Sequence, residues 1–69
     1  MRTFEVFASI DDNPAEKLGE IECHSPVIAI EELYKKVHDR PMLPFHVHYA
    51  DAYNAVVYHG PWHYLAESR

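Results

Sequence analysis

Two periods divide the apolar residues of this chain, and the points where one gives way to the other limit what it can fold into. From Thr3 to Ile10 the residues alternate, with Phe4, Val6, Ala8 and Ile10 on one face and Thr3, Glu5, Phe7 and Ser9 on the other, the pattern of a half-buried strand. Phe7 breaks the polar face. Asp11-Asp12-Asn13-Pro14 is a turn cluster, and Leu18 to His24 resumes the alternation with Gly19, Ile21 and Cys23 inward and Glu20, Glu22 and His24 outward. These two runs predict a hairpin. At Ser25-Pro26 the period changes: Ile30, Leu33, Tyr34 and Val37 stand at i, i+3, i+4 and i+7, Val27 extends the stripe by a turn, and Glu31, Glu32, Lys35 and Lys36 face water. Serine as N-cap with proline next starts a helix, because the N–H that proline lacks has no partner in the first turn anyway. The pairs Glu31–Lys35 and Glu32–Lys36 each add roughly a few tenths of a kcal/mol. Pro41 and Pro44 close the helix off.

Alternation returns in Phe45–Ala50 and Ala55–His59, joined by Asp51-Ala52-Tyr53-Asn54, and predicts a second hairpin. With Ala50 opposite Ala55, Val47 faces Tyr58 and Tyr49 faces Val56 on one side, while His46 faces His59 and His48 faces Val57 on the other. Gly60-Pro61 reads as a bulge or kink, after which Trp62 and Tyr64 continue the sheet before a short polar tail. The expectation is one α+β domain over residues 1–69, of order ββαββ: a four-stranded antiparallel sheet with one helix packed on one face and the other face largely exposed.

With 69 residues the chain buries only about 60% of the surface its unfolded form exposes, so a deep enclosed active site is not expected. Hydrophobic content of 48% still suffices for a packed core and argues against a disordered acidic tail. Cys23 is the only cysteine and cannot form an internal disulfide, which fits a reducing compartment and a role as a small core residue. No charged leader with an apolar run and no stretch near the roughly 20 apolar residues of a membrane span is present, so the chain reads as cytoplasmic.

Charge is distributed unevenly. Met1 to Tyr34 holds Glu5, Asp11, Asp12, Glu16, Glu20, Glu22, Glu31 and Glu32 against Arg2 and Lys17, a balance of −6, whereas Lys35 to Arg69 carries +1. Such a one-sided negative field attracts basic surfaces, including those that hold nucleic acid, and repels nucleic acid itself. Glu5, Glu20 and Glu22 share the outward face of the first hairpin, with Asp11, Asp12 and Glu16 around its turn. These acids form either a solvated surface or an array of carboxylates imitating the phosphates of a duplex. Phe7 and, at a loop tip, Tyr53 are the aromatic residues least easily placed in a core, and exposed aromatics among charges are typical interface anchors.

Six histidines invite a test for metal binding. In the register above His46, His48 and His59 converge, and zinc accepts three imidazoles plus water. No fixed-spacing signature accompanies them and no carboxylate is placed to orient the rings, so solvent-facing strand positions are the alternative and no cofactor or metal is expected. Nothing in the chain matches a nucleophile elbow or a Cys/His zinc module, and two glycines rule out a phosphate-cradling loop; an enzyme is not expected.

In length, acidity and the compact ββαββ order with acids on the first hairpin, the chain resembles anti-CRISPR proteins of phages and mobile elements, a class without a shared motif. That resemblance implies an inhibitor of a bacterial CRISPR interference complex, a type I surveillance complex whose DNA path is lined with lysine and arginine. It would compete with target DNA through Glu5, Asp11, Asp12, Glu16, Glu20 and Glu22, with Phe7 as anchor. Over roughly the first half, Phe4-Glu5-Val6-Phe7, Gly19-Glu20-Ile21 and the Ser25-capped helix with Ala29-Ile30 are similar to the small non-catalytic subunit of the phenylacetyl-CoA epoxygenase complex, which implies a structural subunit of a larger assembly. The second hairpin does not follow that family. Either way the partner is protein, with no direct contact to nucleic acid or membrane, and the chain is a monomer or a homodimer.

Overall fold

A computed structural model describes residues Met1 to Arg69. Its order is β1 (Arg2–Ile10), β2 (Glu16–Cys23), α1 (Pro26–His38), β3 (His46–Ala50), β4 (Asn54–His59) and β5 (Trp62–Ser68). The class is the expected one, α+β with an antiparallel sheet and a single helix, but the sheet has five strands and the order is ββαβββ. Gly60-Pro61 is neither bulge nor kink. It reverses the chain between His59 and Trp62, which pair directly, and Gly60 takes φ 58, where a side chain is disfavoured. The reversal returns β5 into the middle of the sheet, giving the strand order β2-β1-β5-β4-β3.

The helix leaves one edge strand, β2, and delivers the chain to the other, β3, so it must cross the sheet and touches every strand. Ser25 is its N-cap with extended backbone (φ −143, ψ 140), and its carbonyl accepts the Ala29 N–H at 2.9 Å, whereas its side chain makes no capping bond. At the other end Asp39 adopts the left-handed conformation (φ 55, ψ 36) and its N–H bonds Lys35 O at 2.8 Å; Lys35, Lys36 and His38 in the last turn suit the negative end of the helix dipole.

Phe4, Val6 and Ala8 from β1, Tyr64 and Ala66 from β5, and Ala55 and Val57 from β4 meet Ala29, Ile30, Leu33 and Tyr34 of α1 in one core, which Met42 closes. Ile21 and Cys23 point inward as expected and pack against it. The stripe departs from expectation at Val37, which is 56% exposed, while Ala29 takes a core position. Burying a side chain such as Phe4 or Ile30 stabilises by about 1.5–3 kcal/mol, the main source of stability in so small a fold. No helix is long and apolar enough to cross a membrane.

Candidate protein-binding face

The helix covers one face of the sheet and leaves the other open. Because directly paired residues project to the same side, the register arranges the open face in three lines running across the strands. The first is acidic: Glu20 of β2 pairs with Glu5 of β1, and Glu5 with Glu67 of β5. The second is apolar at its centre: Lys17 pairs with Phe7, Phe7 with Leu65, Leu65 with Val56, and Val56 with Tyr49. The third joins Ser9, His63, Tyr58 and His46. Phe7, Leu65, Val56 and Tyr58 are half-buried although nothing covers them but their neighbours, and Tyr49 is 50% exposed.

Like charges directly opposite one another destabilise a sheet, and two cations offset this here. Lys17 Nζ lies 2.7 Å from Glu20 Oε2 and 3.9 Å from Glu5 Oε1. Arg69 bonds Glu20 and places its Nε 3.5 Å from Glu5. The hydrogen bond from Lys17, with help from Arg69, outweighs desolvation and holds the Glu20 carboxyl below its ordinary pKa. Glu5 and Glu20 are thus partly neutralised, whereas Glu22 beside Thr3, Glu67 on the same face, Asp11 and Asp12 in the β1–β2 turn, and Glu16, which pairs with Ala8 and so projects to the helix side, have no cation partner. All five are exposed. Of the six acids expected at a contact, Glu5, Glu20 and Glu22 lie on the open face with Phe7, and Asp11 and Asp12 lie in the adjacent turn; Glu16 does not join them, because a register shift at Leu18 pairs it with Ala8 and turns it to the helix side.

The three histidines do not converge. A bulge between Val47 and Tyr49 leaves His48 unpaired, so beyond it Val47 pairs with Val57 and His46 with Tyr58. The bulge thereby puts His46 on the open face with Tyr58, while His59 stays on the helix side of β4 with Ala55 and Val57: its Nδ1 lies 2.6 Å from Pro44 O and its Nε2 3.3 Å from the Tyr34 hydroxyl. On the open face His48 stacks on Tyr58 with centroids 4.8 Å apart, and His63, from β5, lies 4.5 Å from the same ring. No three His, Cys, Asp or Glu residues are grouped so as to hold a metal ion.

The loop at the far end of the face is built on Asp51, whose carboxylate accepts the Tyr53 and Asn54 N–H groups at 2.8 Å each and the Tyr49 hydroxyl. The bond from Tyr49, then the two backbone bonds, hold Asp51 below the usual carboxylate range, and the same anion raises Tyr49. Tyr53, 51% exposed, lies under the Arg2 guanidinium at 4.3 Å, so this loop-tip aromatic is held by a cation from β1.

Leu65, Val56, Glu67 and Arg69 were not picked out from the sequence as contact residues. All but Val56 belong to β5 or follow it, and the weak alternation of Trp62–Ser68, with Leu65 outward and Ser68 inward, conceals a central strand. Searched against protein-family models, curated proteins and solved structures, the chain finds no match.

Proposed function

We propose that this chain is a non-enzymatic inhibitor that binds a basic, nucleic-acid-holding surface of another protein and keeps nucleic acid out of it, using the uncovered sheet face and the β1–β2 turn. The observation that carries this is the order of side chains on that face: a line of carboxylates across three strands, directly beside a line of half-buried apolar residues. The carboxylates supply charge complementarity to lysine and arginine, which governs approach and register, and Phe7, Leu65 and Val56 supply the apolar centre that an interface needs. The partner we favour is a DNA-holding subunit of a bacterial CRISPR interference complex in the host cytoplasm, in keeping with the resemblance of size, acidity and element order.

The test titrates the protein into a type I surveillance complex and follows binding of target duplex at two salt concentrations. The wild type should displace duplex, less well at the higher salt. Glu22→Lys with Glu67→Lys should not displace it, and unlike Glu20→Lys this pair leaves the Lys17–Glu20–Arg69 network intact. Duplex that stays bound at saturating protein refutes the proposal for that complex.

The apolar line also favours a second reading, a structural subunit docked through the same face into a larger assembly, as the likeness to the small epoxygenase subunit implies. Salt-independent association that Phe7→Ser abolishes would select it over the inhibitor.

A further inference from the structure

On the helix side the sheet is not covered to its end. Between the last turn of α1, the end of β1 and the β4–β5 turn lies a cavity of about 750 Å³. That is within the roughly 300–1,000 Å³ of small-molecule sites. Its apolar wall includes Ile10, Leu18, Trp62 and Val37, of which Trp62 is 39% and Val37 56% exposed, so apolar surface there remains for an occupant to cover.

The polar groups lie at the helix end. Pro44 O can only accept, so His59 donates from Nδ1 and its Nε2 is left to accept the Tyr34 hydroxyl. This chain holds both rings in place and uses up their donors; the His38 ring lies against Tyr34 at 4.3 Å. Arg40 also lines the cavity, and its guanidinium pairs with no carboxylate. Glu16, the one carboxylate in the lining, comes from the start of β2 and makes no ion pair with Arg40.

We propose that this cavity binds an amphipathic monocarboxylate, its apolar body against Trp62, Val37 and Ile10 and its carboxylate on the Arg40 guanidinium. Arginine presents a planar fork that matches a carboxylate, and one without a protein partner is the free cation such a ligand requires. The site is on the opposite side of the sheet from the carboxylate line; it adjoins the protein-binding surface at the β1–β2 turn, through Asn13 and Pro14, and does not rest on that proposal.

Trp62 is the only tryptophan, so its fluorescence reports occupancy directly. Decanoate, decanol and decyltrimethylammonium are titrated in turn, followed by fluorescence and by calorimetry. Decanoate should bind saturably and at least about tenfold more tightly than decanol, and Arg40→Gln should erase that margin while leaving decanol unchanged. Val37→Asp, at an exposed position, should weaken both decanoate and decanol while the chain still folds, with a modest drop in melting temperature because the carboxylate meets the negative end of the helix dipole. The proposal is overturned by no saturable signal in either method, by equal affinity for decanoate and decanol, by tighter binding of the ammonium, or by full decanoate affinity in folded Val37→Asp.

Discussion

Replacing Gly60 tests the feature on which the five-stranded sheet depends, the reversal that returns β5 between β1 and β4. Gly60 has φ 58, and a Cβ built there meets no atom within 4 Å, so the cost of a side chain is confined to the backbone. For an L-residue the left-handed conformation costs about 1–2 kcal/mol. In a domain of this size each kcal/mol moves the melting temperature by roughly 4–8 °C, so Gly60→Ala should lower it by about 5–15 °C. A D-alanine at the same position has the opposite preference. It should be neutral or stabilising by up to about 1 kcal/mol, through the reduced freedom of the unfolded chain. At 69 residues both variants can be made by chemical synthesis and compared by circular dichroism melting. An L-alanine variant that melts with the wild type, or a D-alanine variant that loses as much as the L form, would refute the turn geometry and with it the path of β5.

Phe4 is fully buried at the centre of the core, and Phe4→Ala should cost about 3–5 kcal/mol, enough to leave much of the chain unfolded at room temperature by urea titration. Glu20 and Asp51 have folded-state pKa values below their unfolded ones, so their contribution is present above the unfolded values and is lost as pH falls through the folded values. Urea midpoints should therefore decline below about pH 4, less steeply in Asp51→Asn; an unchanged acid slope in that variant would remove Asp51 from the account. Tyr34→Phe should cost about 0.5–1.5 kcal/mol by deleting the bond to His59, and long-range nitrogen–proton spectra of the wild type should show neutral His59 protonated at Nδ1. The Nε2 tautomer would contradict the bond to Pro44.

Much of the candidate face was legible before any tertiary information. Glu5, Glu20 and Glu22 point outward because Thr3–Val6 and Gly19–Cys23 alternate without interruption and a single slip there would bury charge, whereas the shift at Leu18 that turns Glu16 to the helix side left no mark on the pattern. What the pattern concealed was the neutralisation of Glu5 and Glu20 by Arg69, a residue remote from both in the chain. Val37 shows the same limit on the helix: its spacing fits the apolar stripe, yet the last turn stands over the cavity, where no strand meets it.

Local chemistry in the sequence determined the strand runs, the helix start at Ser25-Pro26, the inward set on β1 and the pairing of Ala50 with Ala55. Those choices depend on neighbours a few residues apart. Tertiary structure alone decided the bulge at His48, the separation of His46 from His59 to opposite sides of the sheet and the insertion of β5 at the centre of the sheet. A bulge leaves the local alternation on each side of it intact, and strand order is chosen by which distant edges bury the most apolar surface together, a quantity no short window of sequence contains.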